Sequence, residues 1–596
     1  MLTTIHGETM TSESLPVARL LTGGSVIASG VPEGLDAAVL GMLARLLGSG
    51  KRHKPILHIA RDGQRLAILD DALQFFAPEV KLLSFPAWDG VPYDRVAPNP
   101  EIVAPRVATL AELAAGSADE TPLIVLTTVN AVLQRVPSRE FFATAIQRFV
   151  PGDAVSMAEL IEKLEHVGYG RAGTVTDPGQ YAVRGGIIDF YPPRARPVRL
   201  DFFGDTLESM RAFDPETQRT FSRLDEVTLL PMSEAPLTEE ARGRFRARYV
   251  ELFGPVRGDD PLYESISAGR QHQGMEHWLP LFHERLETLF DYLPDAVVTC
   301  DALDDNARAK RLEQVKDHYE ARQQALERKA FGAPPYNPVP PESLFLTEAN
   351  WQKALQGGQK IVLDPFEHPE ATRDATIVSF GGKQGRSFAA ERQREGGNVF
   401  DAVVAHTARL QGEGKRVLIA CWSKGAKERL AALLAEHGIG DTLRVDTWQK
   451  VLAAPPMATT FAVLPLEAGF EAPRMSCSPM TAKPGASKPV SSGSTANVVA
   501  IGGAASTFCQ VSTRRVSPMP CSASNAPSRS LAPLLQQATS TRFPSPCSLA
   551  ACATTASKTF PPSRSAAKER PCLPPKDTMV ASRVASGCSK GSRTIF

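Results

Sequence analysis

The sequence predicts an α/β protein built on a parallel sheet, with an inserted β-rich domain, a further small α/β domain and a disordered tail. Three observations carry this expectation. Short β-branched runs alternate with amphipathic helical stretches through the first 130 residues, a pattern that gives a parallel sheet covered by helices. Between residues 198 and 211 the period changes to the alternation of a hairpin. Near Glu471 the composition changes altogether: Met475–Phe596 carries fourteen Lys and Arg against only Glu569 and Asp577. Subtracting that +12 from the whole-chain +1 leaves −11 for the first 474 residues.

At 596 residues the chain has room for about three or four domains of roughly 150 residues. No apolar run reaches the roughly 18 residues of a membrane span, and the N-terminus lacks a basic segment followed by an apolar core. Seven of nine cysteines lie in the tail, Cys477, Cys509, Cys521, Cys547, Cys552, Cys572 and Cys588. The body keeps only Cys300 and Cys421, which fits a reducing, cytoplasmic setting.

Strands are predicted at Ser25–Ser29, Ile56–Ala60, Lys81–Phe85 and 123–127, and helices at 35–47, 64–76 and 101–115. In such a sheet the loop after the first strand is where a nucleotide sits. Here it reads Ser29-Gly30-Val31-Pro32-Glu33-Gly34-Leu35-Asp36. A phosphate loop needs Gly for close amides, Lys to neutralise and Ser or Thr to hold magnesium. This loop has the glycines, lacks the Lys, and sets Glu33 and Asp36 where phosphate would be repelled. Gly48-Ser49-Gly50-Lys51 fails too: Arg45 stands at the first Gly position and Arg52 follows the Lys. It reads as a helix-to-strand turn, so no ATP site is expected.

Phe85-Pro86-Ala87-Trp88-Asp89-Gly90-Val91-Pro92-Tyr93-Asp94 and Pro98-Asn99-Pro100-Glu101-Ile102-Val103 form a rigid loop leading into a helix. With Thr127-Thr128-Val129-Asn130-Ala131-Val132-Leu133-Gln134-Arg135-Val136-Pro137, this text resembles the bacterial transcription-repair coupling factors. The resemblance implies a degenerate RecA-like, UvrB-like first domain that has lost its nucleotide site.

The segment 150–231 is the most informative. It contains Gly168-Tyr169-Gly170-Arg171, Gly179-Gln180-Tyr181-Ala182-Val183-Arg184-Gly185-Gly186 and Val198-Arg199-Leu200-Asp201-Phe202-Phe203-Gly204-Asp205. The last turns at Gly204-Asp205, with Leu200 and Phe202 on one face and Arg199, Asp201 and Phe203 on the other. If the first pair is core, Phe203 is either an exposed aromatic beside Arg199, as at an interface, or a second core residue. The pattern leaves both open. The resemblance implies that this domain docks on UvrA and carries the contact role onto Arg184, Arg199 and Phe203. Arg171, Arg194 and Arg196 add positive charge or a solvated rim; with charge, an acidic partner patch is expected.

Gly274-Met275-Glu276-His277-Trp278-Leu279-Pro280-Leu281-Phe282 and Thr288-Leu289-Phe290-Asp291-Tyr292-Leu293-Pro294 also resemble the family, where the chain returns to its first domain. His272, His277 and His283 fit no metal-ligand spacing, so no metal is expected. A charged helix over 305–329 places Leu312, Val315, Tyr319 and Leu326 on one buried stripe. The prolines from Pro334 to Pro341 form a stiff linker. Strands at 416–422 and 460–464 and a helix at 424–437 give another α/β unit without assignable chemistry.

Expected boundaries are 1–145 for the first part of the RecA-like domain, 146–232 for the UvrA-binding domain, 233–345 for the return and linker, 346–472 for the small α/β domain, and 473–596 for the tail. The tail reads as disordered, as a basic nucleic-acid arm with scattered charge, or as an out-of-frame stretch, which its abrupt loss of periodicity favours. No phosphate loop and no D-E-x-H box follows Glu471.

The expectation is therefore a DNA-repair adaptor that recruits UvrA and is no enzyme. It has no cofactor of its own, ATP, RNA polymerase and DNA belonging to family domains beyond this text. A cytoplasmic monomer without membrane contact is expected. The resemblance further implies constitutive UvrA binding, because the family's far C-terminus masks this surface. The rivals are a UvrB-type or helicase-type ATPase and a basic-tailed nucleic-acid-binding protein.

Overall fold

The computed structural model describes residues 4–5, 8–9, 15–22, 24–48, 53–116, 121–193, 195–256, 260–328, 336–368, 376–393, 397–475 and 496–501. After a short antiparallel pair, Thr4–Ile5 with Glu8–Thr9, and a helical turn at Leu15–Arg19, the main fold starts with β1 (Ser25–Ser29), α1 (Leu35–Gly48), β2 (Ile56–Ala60), α2 (Gly63–Phe76), β3 (Lys81–Phe85), α3 (Pro100–Ala115) and β4 (Leu123–Thr128). These match the predicted elements to within a residue. Local chemistry sets the helix starts. Asp62 caps α2 by accepting from the Arg65 amide, and Asn99 caps α3 ahead of a proline at its first position.

The chain then builds the β-rich unit from β5 (Gly170–Arg171), β6 (Gln180–Arg184), β7 (Ile187–Phe190), β8 (Val198–Phe203), β9 (Thr206–Phe213) and β10 (Thr220–Leu224), in spatial order β10-β9-β8-β7-β6-β5. It returns through β11 (Val297–Asp301), α4 (Asp304–Glu327), β12 (Lys360–Leu363) and β13 (Thr376–Ser379). The first sheet is seven-stranded and parallel, in order β13-β1-β12-β11-β2-β4-β3. Thus β12 and β13, read from sequence into the 346–472 unit, hydrogen-bond into the first sheet. Strands this short carry no mark of the sheet they join.

The last sheet comprises β14 (Lys383–Gln384), β15 (Arg416–Cys421), β16 (Thr442–Arg444), β17 (Thr459–Val463), β18 (Phe470–Met475) and β19 (Ala496–Ile501), in order β14-β18-β19-β15-β17-β16. Strand β19, a β-branched Val-Val-Ala-Ile run, lies beyond the composition break and pairs with both β15 and β18. Apart from 473–475 at the end of β18, the rest of the tail read from residue 473 lies outside the described residues, as does Arg194.

Helices α1 and α2 lie between the two sheets. Their apolar residues share one core with Leu418, Ala462 and Phe470, and Phe76 meets Trp448 at 5.2 Å. In α4, Val315 is buried while Leu312 and Tyr319 pack at the edges of two cores. Among the described residues no helix is long and apolar enough to cross a membrane.

Candidate functional site

The second face of the β-rich unit, closed in part by a small core of Val175, Ala182 and Phe213 and open elsewhere, gathers most of the residues singled out from the sequence. Register decides which. Across β6, β7, β8 and β9, Val183, Ile188, Leu200 and Met210 form one cross-strand row. With Phe190, Val198 and the helix residues Leu160 and Leu164 they make the core. Residues one step along point the other way. That second face carries Arg184, Ile187, Asp201 and Ser209 in one row, and Ala182, Asp189, Arg199 and Arg211 in the next.

Arg199 is held in the sheet. Its Nε and Nη2 donate to the two oxygens of Asp189 at 2.8 and 2.9 Å, a bidentate pair that raises its already high pKa. The Asp189 side chain is 1% exposed and that of Arg199 18%. The guanidinium also lies 5.0 Å from the ring centroid of buried Phe213. Arg184 is exposed, and its Nη2 donates to the Gly173 carbonyl and Thr174 Oγ1 at 3.0 and 3.1 Å. This pins the side chain beside the Gly185-Gly186 turn, where Gly185 has φ of 61°.

Phe203 is 77% exposed and is not a second core residue. A register shift between Asp201 and Phe202 turns Phe202 to Leu207 and leaves Phe203 opposite Thr206. Arg171 does not join this group. It pairs with Tyr181 on the parallel neighbour, so it shares the core-side face. There it opposes the upward pKa shift, to about 12, that burial and the Glu165 hydrogen bond give the Tyr181 phenol.

Sequence reading missed Arg211, Arg223 and Phe221. Arg211 pairs with Asp201, Arg223 lies beside Arg211 on β10, and Phe221 is 50% exposed with the Arg196 guanidinium 4.8 Å from its ring. The aromatic and the Arg of the short run Phe221-Ser222-Arg223 were the available signal.

The loop after β1 is occupied by the protein's own acids. Asp36 Oδ1 accepts from the Gly34 and Ala37 amides at 3.0 and 2.7 Å, and its other oxygen pairs with buried Arg65. Such amides are what a phosphate would need. Ser29 Oγ donates to Glu367 at 3.2 Å, and a Cβ on Gly30 would collide with that carboxylate. Glu33 pairs with Arg61 at 2.7 Å. Gly48 closes α1, and 49–52 lie outside the described residues.

Two of the three histidines are core groups; His272 is not buried. His277 packs against Trp88 and Tyr93, and His283 Nε2 lies 2.7 Å from the Glu234 carbonyl. Burial pushes both imidazoles down to about 4. Beneath them Arg106 and Glu234, 0% and 1% exposed, make a buried ion pair that also engages the Pro86 carbonyl and Gln134. Nearby Glu276 is raised to about 7 by burial and by the Glu234 charge, and its Oε2 has no partner.

Residues 148–234 match the UvrB interaction domain. The chain is similar to a transcription-repair-coupling factor of Rickettsia bellii, 28% identical over 421 residues, covering 70% of this chain and 35% of the relative. It is similar to that of Haemophilus influenzae, 35% identical over 241 residues, covering 40% and 21%. The Escherichia coli protein is 28% identical over 390 residues, covering 65% and 32%. The chain thus spans about a third of the length of the curated relatives it matches. It carries a UvrB interaction domain, and the body around it is similar to the N-terminal part of the transcription-repair-coupling factors.

Proposed function

We propose that the body recruits UvrA in transcription-coupled nucleotide excision repair, through the open face of its UvrB interaction domain. The observation that carries this reading is Phe203, 77% exposed on a sheet face with Arg184 and the Asp189-held Arg199. A rigid aromatic anchor flanked by pre-positioned guanidinium groups is the composition of an interface hot spot. Holding the cations in place beforehand reduces the ordering cost of docking. The complement on the partner is an acidic patch with an apolar recess.

The recruiting body does no nucleotide chemistry of its own in this reading. Asp36 on the loop amides and Glu367 against Gly30 support it, because a phosphate entering there would have to displace two carboxylates. RNA polymerase, DNA and ATP are assigned to parts of the family beyond this body, which acts as a cytoplasmic monomer. Titration of purified UvrA with the chain tests the docking role. Binding that weakens in Arg184→Ala and Phe203→Ala, with thermal stability kept, supports it; unchanged affinity in both overturns the site. ATP turnover by the purified chain would overturn the second half of the reading.

A further inference from the structure

The open face continues past the residues that the family resemblance singles out. Arg184, Arg199 and Phe203 occupy strands β6 to β8. On β9 and β10 the register adds Arg211 beside Arg199 and Arg223 beside Arg211. Phe221, two residues before Arg223 on the same strand, is the unpaired residue of a register shift at Ala212/Phe213 and stands 50% exposed under the Arg196 guanidinium. Strand β10 is an edge strand, exposed from Thr220 through Arg223.

Spacing shows that one partner can cover both halves. Neighbouring strands lie about 4.8 Å apart, so four steps from β6 to β10 span about 19 Å. By register, Phe203 and Phe221 are about six residues apart along the strand direction, or about 20 Å at 3.3 Å per residue. A standard specific interface covers about 800 Å² on each partner, a disc of about 30 Å. Docking centred between Arg199 and Arg211 therefore reaches β10, whereas docking confined to β6–β8 leaves half the sheet width uncovered.

Charge favours the same occupant. Arg199 and Arg211 are paired inside the sheet with Asp189 and Asp201. Arg184, Arg196 and Arg223 make no ion pair with any described carboxylate, and by register Arg184 and Arg223 add that positive charge to one face. Arg196 lies over the exposed Phe221 ring, setting an aromatic and a guanidinium together at the far end. We propose that Arg196, Phe221 and Arg223 form a second contact zone for the same protein partner, accepting a further acidic surface with an apolar recess for Phe221. This rests on the UvrA reading above.

The test is binding of the full chain to purified UvrA, with Phe203→Ala/Arg184→Ala disrupting the first zone and Phe221→Ala/Arg223→Ala the second. Each double variant is expected to lose about tenfold or more in affinity, as anchor residues do, with a melting temperature within about 3 °C of the parent. A second-zone variant that binds like the parent while the first-zone variant fails overturns this inference and leaves the UvrA reading standing. Parental binding by both overturns the UvrA reading itself. Arg223→Glu guards against a folding artefact: reversing an exposed charge should weaken binding by about tenfold and flatten its salt dependence, and no change counts against the second zone.

Discussion

Phe203→Ala separates a docking residue from a core residue quantitatively. Fully burying a phenylalanine side chain is worth about 1.5–3 kcal/mol. With 77% of Phe203 open, roughly three quarters of that, about 1.1–2.3 kcal/mol, remains to be gained on docking. At about 1.4 kcal/mol per tenfold, the variant should bind UvrA about 6–40-fold more weakly. The quarter already buried is worth about 0.4–0.7 kcal/mol, so the melting temperature should fall by no more than about 3 °C. Phe213→Ala is the internal contrast. Phe213 is 0% exposed beneath Arg199, and removing a core phenylalanine costs about 3–5 kcal/mol. Isothermal titration with UvrA and a thermal melt on each variant make the comparison. Full affinity in Phe203→Ala, or a melting loss as large as that of Phe213→Ala, refutes the reasoning.

Other outcomes follow from the same geometry. Arg199→Ala should weaken binding and also destabilise the fold, because it strands the buried Asp189 carboxylate; the loss, read by urea unfolding, should lie below the about 3–5 kcal/mol of a fully buried pair, since Arg199 keeps partial solvent contact. Arg106→Leu should cost about 3–5 kcal/mol by leaving Glu234 unpaired, and Arg106→Leu/Glu234→Leu should recover part of it. Glu276, folded near 7 against 4.5 unfolded, binds more protons when folded between those values, so its stabilising contribution is lost as pH rises through 7. Glu276→Gln should therefore gain stability relative to the parent between pH 5 and pH 8, by up to about 3 kcal/mol. His277 and His283, folded near 4, have the opposite sign: their contribution is complete above 6.5 and lost as pH falls toward 4, which acid unfolding curves would reveal.

The first seven elements were legible because their periods were long and their caps local. Alternation placed Leu200 in the core of the β-rich unit, and it offered exposure as one option for Phe203. It could not choose, since the choice depends on whether other parts of the chain cover that face, as Val175 covers Phe213 and nothing among the described residues covers Phe203. Arg199 read as a plain docking cation because its partner Asp189 lies ten residues away on another strand. Arg171 read as part of the patch because sequence proximity hides which face a two-residue edge strand presents. The missing Lys of the loop after β1 was legible, but the seating of Glu367 against Ser29 and Gly30 was not, because that contact spans 338 residues. The joining of β12 and β13 to the first sheet was likewise a non-local fact.

The most direct test of the central claim is equilibrium binding of the full chain to purified UvrA at low and at physiological salt. The account predicts saturable binding that weakens as salt rises and is lost in Arg184→Ala/Phe203→Ala. Absence of saturable binding at low salt, or binding indifferent to that double substitution, would contradict it.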